Sequence, residues 1–278
     1  MKRILLMMAI TLCAVRAQAD DYTLFNPVPD DKQRPMNPER PTKTDGATTV
    51  DAGHVLIETS FINQVRDKDC GGGNCVRTSE WDAFVPTAFR VGLTQSTEVQ
   101  FIVSPYQHVA TRDDAAGKQS ATGFGDTVVR LKHNFWGDDS GDTALAVIPF
   151  IKLPTNEHGL GNNDVEGGVE LPFSINFDGG WNLNPMTQVN FLMSPDGSGY
   201  FLQYVNSVAF TKNFTERFSG YTELYSSRAD TGGGWQNTLD FGVVYALTDN
   251  VTVDTGVNIG VTKAADDLNW FLGGSFRF

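Results

Sequence analysis

The chain ends in NWFLGGSFRF, residues 269–278, and its last residue carries a large apolar side chain. Alternate positions share one face, which holds Trp270, Leu272, Gly274, Phe276 and Phe278. The opposite face holds Asn269, Phe271, Gly273, Ser275 and Arg277. This period of two is typical of a β-strand. Because chain ends are usually frayed and polar, the pattern predicts a terminal strand that is tied into a sheet and turns its apolar face to a core or to lipid.

Eleven earlier stretches alternate in the same way, and each is followed by a cluster of Gly, Asp, Asn or Ser. One face of each stretch is apolar, as in Val99, Phe101 and Val103, while the other is polar or small. The pattern predicts an all-β fold of about twelve antiparallel strands, since each stretch is long enough to cross a bilayer when tilted. The stretches are 54–65, 81–92, 97–109, 124–136, 143–154, 165–177, 181–193, 200–212, 216–227, 236–247, 251–261 and 269–278.

The connections between these stretches alternate in length. The first, third and fifth gaps are long (66–80, 110–123 and 155–164), whereas the second, fourth and sixth are short (93–96, 137–142 and 178–180). The contrast weakens later in the chain. Membrane-spanning barrels combine short turns on one side with longer loops on the other. An even strand number would return both ends to the side of the short turns, which we expect to be the periplasm.

All five tryptophans lie at the ends of these stretches. Trp81, Trp235 and Trp270 would form a girdle at the outer rim, and Trp136 and Trp181 one at the inner rim. Interfacial girdles of this kind are typical of transmembrane barrels, whereas a periplasmic β-sandwich would bury its tryptophans in mid-strand. The sequence therefore favours a transmembrane antiparallel β-barrel over 54–278.

The first residues, MKRILLMMAITLCAVRAQAD, combine two basic residues, an apolar run and Ala17-Gln18-Ala19. This pattern predicts a secretory signal peptide over 1–19. The apolar run is too short for a membrane-spanning helix, and the large Leu12 before Cys13 argues against a lipid anchor. No later segment is long and apolar enough for such a helix, so a membrane protein of this sequence would be a barrel, located in the bacterial outer membrane.

The chain is acidic, with a formal net charge of −12 at pH 7. Without the three basic residues of the signal peptide, 18 basic residues stand against 33 acidic ones. An anionic surface repels phosphate backbones, so nucleic acid is excluded as a partner. The expected partners are outer-membrane lipid and small-molecule solutes, while the oligomeric state stays open.

Cys70 and Cys75 lie within DCGGGNC, residues 69–75, and in an exported protein this spacing predicts a disulfide-closed loop. A metal site would need further ligands, and no His or other Cys lies nearby. We therefore predict no metal and no cofactor.

Residues 20–53 are rich in Pro, Asp and Thr and show no period. They predict an extended segment, either periplasmic or inside the lumen, where it would narrow the passage.

Charged residues recur on the polar faces of the strands, and we predict that they line the lumen. Nine are acidic and six basic, which gives a wet lumen with an acidic excess whose charges pair with one another. Twelve strands imply a narrow passage. The predicted lining residues are Glu58, Asp82, Arg90, Glu98, Asp126, Arg130, Lys132, Lys152, Glu166, Glu170, Arg217, Glu223, Asp240, Asp254 and Arg277.

Enzymatic sites find little support. The four histidines are His54, His108, His133 and His158, and no GxSxG motif occurs. The acidic turn GDDSGD at 137–142 lacks the length and closing Glu of an EF-hand. Glu166 and Glu170 share a face as a general acid and base might, but a salt-bridge cluster with nearby basic residues is the favoured interpretation. We predict no catalytic residues.

Several segments together resemble a known family. They are RPTKTDGATTVDAGHVLIE (40–58), GFGDTVVRLKHNF (123–135), AVIPFIKLPT (146–155) and the aromatic terminal strand. The sequence from about Pro41 to Phe278 resembles the outer-membrane transporters of the meta-pathway of phenol degradation family. Relatives commonly read TDRP where this chain has PERP at 38–41, and the CGGGNC loop is an individual addition.

The resemblance implies an outer-membrane channel for the passive passage of small solutes, with aromatic growth substrates suggested for the family. A polar lumen does not fit a tunnel for apolar substrates, so the family name does not assign the solute. Two alternatives are a non-conducting structural or surface-binding barrel that uses its long loops, and an outer-membrane hydrolase. Phe276 and Phe278 also resemble the terminal signal that the barrel assembly machinery reads.

Overall fold

The computed structural model describes residues 22–71, 74–139 and 141–278. The predicted signal peptide over 1–19, the first two residues of the 20–53 segment, Gly72 and Gly73 of the cysteine loop and Ser140 of the acidic turn lie outside the described residues. No helix in the described ranges is long and apolar enough to cross a membrane.

The described chain contains fifteen β-strands and one short 3₁₀ helix, Asp30–Lys32. The first strands are β1 (Val55–Gly71), β2 (Asn74–Ala83), β3 (Thr87–Thr94), β4 (Thr97–Val103), β5 (Tyr106–Asp113), β6 (Gly117–Gly123), β7 (Thr127–Trp136) and β8 (Thr143–Leu153). The remaining strands are β9 (Glu166–Phe177), β10 (Trp181–Met193), β11 (Tyr200–Asn213), β12 (Phe218–Ala229), β13 (Gln236–Thr248), β14 (Val251–Gly260) and β15 (Leu268–Arg277).

Twelve of these strands form a closed antiparallel barrel, as the sequence predicts. The order around the barrel is β1, β3, β4 and then β7 to β15, and β15 pairs back onto β1. The closing ladder runs from Leu56 opposite Arg277 to Arg66 opposite Leu268. Phe278 extends it, because its backbone N–H donates to the carbonyl of Val55 at 2.8 Å. The terminal strand is therefore the seam of the barrel.

The two ends of the barrel differ. The turn end carries the start of β1, the end of β15 and the short connections β3–β4, β7–β8, β9–β10, β11–β12 and β13–β14. The hairpin end carries the β1–β2 and β5–β6 hairpins and the longer connections.

Segments 66–80 and 110–123, predicted as long loops, are β-hairpins instead. Beyond the barrel, the second half of β1 pairs with β2, β2 with β5 and β5 with β6. We call this extension the hairpin sheet. Strands two and three of the predicted twelve continue into it after short interruptions that contain Pro86 and Pro105, each of which lacks a backbone donor. Polar residues on both faces hid these strands, since no apolar face marked their period.

The predicted disulfide between Cys70 and Cys75 is present at the tip of the β1–β2 hairpin. The two residues lie opposite each other in the ladder. The bond therefore closes the end of the hairpin sheet.

Outward side chains form an apolar band around the barrel. Exposed large apolar residues recur at alternate positions, as in Leu239, Phe241, Val243, Tyr245 and Leu247 of β13. Trp136 and Trp181 lie at the turn end, while Trp81, Trp235 and Trp270 lie toward the hairpin end. Inward side chains are mostly buried and polar. This inversion of the usual core is typical of a barrel with lipid outside and a polar interior.

Replacing the terminal aromatic tests whether it acts as an assembly signal. The side chain of Phe278 is 70% exposed, so Phe278→Ala removes little packing. We expect less assembled barrel in the outer membrane, measured as the heat-modifiable band in gel electrophoresis, with unchanged solute flux per assembled barrel. The matched control is Phe214→Ala, an exposed aromatic in a turn at the same end. Equal amounts of assembled barrel in both variants would contradict the signal.

Candidate functional site in the barrel lumen

An extended segment folds into the barrel from the turn end. Leu24 donates to the carbonyl of Leu93 at this end, and Val28 donates to that of Ala52. Residues 34–52 follow these anchors in the chain, and we call them the lumen segment. They contact inward side chains of at least eight strands: β1, β3, β4, β7, β11, β12, β13 and β14. The segment has no regular secondary structure of its own, so the wall of the barrel supplies most of its hydrogen-bond partners.

Glu58 of β1 holds the first turn of the lumen segment. Its carboxylate accepts the backbone N–H groups of Glu39 and Arg40 at 3.0 and 2.9 Å. The Arg40 guanidinium reaches the other side of the seam, where it bonds to Asp254 at 2.7 Å, and it lies 5.3 Å from the centre of the Phe271 ring. Hydrogen bonds to a charged group are the stronger class, so this turn is firmly tied to the seam.

Glu223 of β12 holds the tip of the lumen segment. Its carboxylate accepts the N–H groups of Lys43 and Thr44 at 2.9 and 2.7 Å. The Lys43 ammonium lies 3.1 Å from Asp240 of β13, and the hydroxyls of Thr44 and Ser207 are 2.7 Å apart. These strands lie across the barrel from β4, so the tip crosses the lumen.

The returning half of the lumen segment lies against β7 and β8. Asp45 pairs with Arg130, which also pairs with Glu170. Lys132 donates to the carbonyl of Gly46 at 2.9 Å and pairs with Glu39. Ala47 packs with Ala144 and Ala146 in a small apolar contact, and its carbonyl accepts from Asn134. Small residues on β8 thus leave room for the backbone of the segment.

The base of the lumen segment is fixed at the turn end. Arg34 bonds to Asp51 at 2.6 Å and lies 3.0 Å from Asp138 in the β7–β8 turn. Asp138 also accepts the hydroxyl and N–H of Thr49. Burial raises the pKa of the Asp138 carboxyl, although Arg34 and Thr49 oppose the shift. Arg277 of the terminal strand donates to the carbonyl of Arg34 at 2.6 Å.

Two wall glycines permit the close approach of the lumen segment. A Cβ at Gly92 would lie 2.0 Å from the carbonyl oxygen of Asp51. A Cβ at Gly273 would lie 2.2 Å from the Arg40 guanidinium. Only glycine allows backbone or charged groups so near a strand.

Arg90 of β3 is one of two almost fully enclosed cations of the wall, with Lys132 of β7. Arg90 is 1% exposed and bonds to Glu58 at 2.7 Å and to Glu98 at 2.9 Å. The other oxygen of Glu98 accepts the N–H of Val50 at 2.6 Å. One wall ion cluster therefore also binds the lumen segment, so that the wall and the segment share their charge compensation.

The half of the lumen nearer the hairpin end is lined by amides. Asn258 donates to Asn269, Asn269 to Asn63 and Asn63 to Asp82, at 2.7, 2.7 and 3.1 Å. A second row joins three residues of neighbouring strands, Gln188, Asn190 and Gln203. Their unpaired donors and acceptors can bind the polar groups of a solute.

A separate ion cluster lies at the mouth of this half. Lys152 is 2.9 Å from Asp126 and 3.0 Å from Glu166. The β8–β9 connection folds over it, since Asn156 donates to Asp126 at 2.7 Å. Among the predicted lining residues, Lys152 is the only basic one that the described structure places in this mouth cluster, where it lies between two carboxylates.

The structure places most predicted lining residues on inward faces, but Arg217 is an exception. Arg217 is exposed in the β11–β12 turn, because β12 begins at Phe218, two residues later than the predicted start at 216. The prediction that the wall charges pair with one another was incomplete, because the lumen segment also supplies partners to wall carboxylates. These carboxylates are Glu58, Glu98, Glu223, Asp240 and Asp254. One feature of the sequence could have indicated these partners. The aperiodic segment of this acidic chain contains three basic residues, Arg34, Arg40 and Lys43.

The histidines take structural positions. His54 bonds to the carbonyl of Val28 at 2.8 Å, and His133 faces outward beside Thr97. His108 and His158 contact the hydroxyl and the carbonyl of Thr122. Within the described ranges, no group of three or more His, Cys, Asp or Glu side chains is arranged to hold a metal ion.

Comparisons with known proteins agree with this architecture. The family model described as MetA-pathway of phenol degradation matches residues 39–278. No curated protein matches the sequence significantly. Similar solved structures include the COG4313 outer membrane channel from Pseudomonas putida, at 12% identity and a TM-score of 0.63, covering 87% of this chain and 100% of that one.

Two further similar structures are parts of autotransporters. The transport unit of AIDA-I from Escherichia coli has 12% identity and a TM-score of 0.52, with 87% of this chain and 92% of that chain covered. The translocator domain of NalP from Neisseria meningitidis has 10% identity and a TM-score of 0.51, with 81% and 88% covered. At such identities the likeness concerns the fold.

The ion pairs of Arg90 with Glu58 and Glu98 should contribute to the stability of the barrel. Arg90→Gln leaves Glu58 and Glu98 without their shared cation, so we expect the free energy of unfolding to fall by about 3–5 kcal/mol. Urea titration of the barrel in lipid vesicles measures this change. The control is Arg77→Gln, whose pair with Asp114 is exposed on both sides and should contribute no more than about 1 kcal/mol. Similar losses in the two variants would contradict the assigned role of Arg90.

Proposed function

We propose that this chain, which belongs to the MetA-pathway of phenol degradation family, is an outer-membrane channel for the passive passage of small solutes. The observation that carries the proposal is the polar interior. Charged and amide side chains line the barrel from the turn end to the hairpin end, and the lumen segment that fills the turn half is bound there by hydrogen bonds and ion pairs.

Polar contacts of this kind can be exchanged for water. Each intramolecular hydrogen bond contributes only about 0.5–1.5 kcal/mol net, because water competes for the same groups. The charged wall that the lumen segment would leave behind is one that water can hydrate. In our proposal the seated segment is the closed state, and its displacement opens the passage.

The lining also favours a class of solute. The amide rows and the Lys152 cluster offer hydrogen-bond donors and acceptors to a solute in this half of the lumen. We infer that the solutes are small and polar, and that an aromatic solute would need hydroxyl or carboxylate groups. This agrees with the family name only in part, because an apolar hydrocarbon would make no hydrogen bonds with the amide and charged side chains of this half.

The remaining features of the proposal follow from the barrel type. We place both ends of the mature chain and the turn end in the periplasm, with residues 1–19 removed as a signal peptide and the barrel assembly machinery inserting the chain. The hairpin sheet then projects from the cell surface. No cofactor takes part, since passive passage needs none.

A second candidate function is a surface-binding barrel that conducts nothing. It is favoured by the hairpin sheet, which extends four strand segments beyond the barrel, and by the dense packing of the turn half. Here the sheet would be the working part and the lumen segment a permanent core.

Flux measurements separate the two functions. We expect liposomes that contain the purified protein to take up monosaccharides and hydroxylated aromatic acids faster than protein-free liposomes, in a swelling assay. Deleting residues 22–50 should raise the flux severalfold, because it empties the turn half of the lumen. An intact barrel without flux in either form would support the surface-binding function and contradict the channel.

A reversible crosslink tests the displacement of the lumen segment. The hydroxyls of Thr44 and Ser207 are 2.7 Å apart, so the double variant Thr44→Cys, Ser207→Cys brings two thiols within reach of a disulfide. We expect low flux after oxidation and recovery after reduction. The single variants and the native chain, given the same treatments, control for reduction of Cys70–Cys75. Equal flux of the double variant in both states would show that the segment does not need to move.

A further inference from the structure

The outer wall of the barrel carries a polar pair where lipid contact is expected. Thr187 and Asn206 lie near the middle of β10 and β11, face outward and are exposed. The hydroxyl of Thr187 donates to the side-chain oxygen of Asn206 at 3.0 Å. The amide nitrogen of Asn206 donates to no partner among the described residues. A polar group left unbonded in hydrocarbon is costly, so this position calls for a polar partner from outside the chain.

A groove begins at this pair and rises toward the hairpin end. Its volume is about 470 Å³, within the range of small-ligand pockets. Its lining comes from β10, β11, β12 and both ends of the β12–β13 connection, and includes Tyr204, Arg228 and Trp235. The strand ladders β10–β11 and β11–β12 continue beneath it. The groove is therefore a feature of the outer surface and not an opening into the lumen.

Arg228 brings a guanidinium to the upper part of the groove, and Asp230 contributes a carboxylate to the same lining. Its guanidinium lies 5.5 Å from the centre of the Trp235 ring, and no carboxylate in the described ranges forms an ion pair with it. The neighbouring Asp230 accepts the N–H of Leu202 at 3.1 Å through one of its two carboxylate oxygens. An exposed arginine of this kind can bind a phosphate through two parallel hydrogen bonds.

The spacing of the polar groups matches an amphiphile. Arg228 lies opposite Tyr204 in the ladder, and Asn206 lies opposite Ser226, so Arg228 and Asn206 are diagonal neighbours about 7–8 Å apart. Apolar side chains surround the lower part, among them Phe210 and Leu224. A charged head, a polar linkage and an acyl chain would meet these three zones in order.

We propose that the groove binds one anionic, phosphorylated lipid. Its phosphate contacts Arg228, the carbonyl of its ester or amide linkage accepts from Asn206, and its acyl chains lie along the apolar band below. Charge complementarity supports this occupant, because the exposed guanidinium of Arg228 forms no ion pair among the described residues and lies beside the apolar band of the barrel. The site is independent of whether the lumen conducts.

Lipid retention measures the site directly. The protein is reconstituted in nanodiscs of phosphatidylcholine with phosphatidylglycerol, released in native mass spectrometry, and the bound phosphatidylglycerol is counted. We expect the native chain to keep a single phosphatidylglycerol, and Arg228→Gln to weaken its binding about tenfold or more. Asn206→Leu should also weaken it, and heat-modifiable migration confirms that each variant is folded.

The matched control is Lys212→Gln. Lys212 forms a similar cation–π contact with Trp181 at the opposite rim, 4.7 Å from the ring centre, but lies outside the groove. Retention in Lys212→Gln should equal that of the native chain. Equal retention in Arg228→Gln and Lys212→Gln would overturn the proposal. Loss of the lipid on adding inorganic phosphate, or a dimer that Asn206→Leu abolishes, would also overturn it, in favour of a free phosphate or a second copy of the chain.

Discussion

The structure depends on the need to compensate carboxylates inside a barrel that leaves them almost no water. Glu58, Glu98, Glu223 and Asp240 are each at most 3% exposed. Burying an unpaired charge costs several kcal/mol, so a wall with this acidic excess would not be stable with an empty, dry interior. The lumen segment supplies the missing partners through the backbone N–H groups at positions 39, 40, 43, 44 and 50 and through Arg40 and Lys43. Wall and segment are thus two halves of one electrostatic unit.

The barrel itself was readable from the sequence because membrane insertion imposes a simple rule. Outward residues meet lipid and inward residues meet a polar interior, so a period of two persists along every strand. The terminal strand shows this clearly: Leu272 is exposed, and Phe271, beside it, is buried against Arg40. The strand count and the closure against the first strand follow from the same rule. Once β1 and β15 are the first and last strands, an antiparallel barrel of even number has no other way to close.

The hairpin sheet and the lumen segment were harder to predict, for opposite reasons. The strands of the hairpin sheet extend beyond the apolar band, so neither of their faces has to be apolar. Apolar and polar residues therefore do not alternate along them. The lumen segment has no period at all, since its conformation is set by the wall. Thr44 illustrates this: its N–H and hydroxyl both bond to Glu223, nearly 180 positions later in the chain. Pattern reasoning identifies which residues face inward, but the pairing of such distant groups depends on the three-dimensional path of the segment.

The chemical character of the lumen segment bears on what the barrel can do. A segment fixed by apolar packing would lose its hydrophobic stabilisation on moving into water. Here Ala47 of the segment packs in a small apolar cluster with Ala144 and Ala146, and many other contacts of the segment with the wall are hydrogen bonds and ion pairs. Water can replace such contacts one by one, and the wall glycines at positions 92 and 273 leave no side chain that would collapse into the vacated space. An electrostatic attachment therefore leaves polar groups on both the wall and the segment that water can hydrate, whereas a hydrophobic plug of equal stability would expose apolar surface.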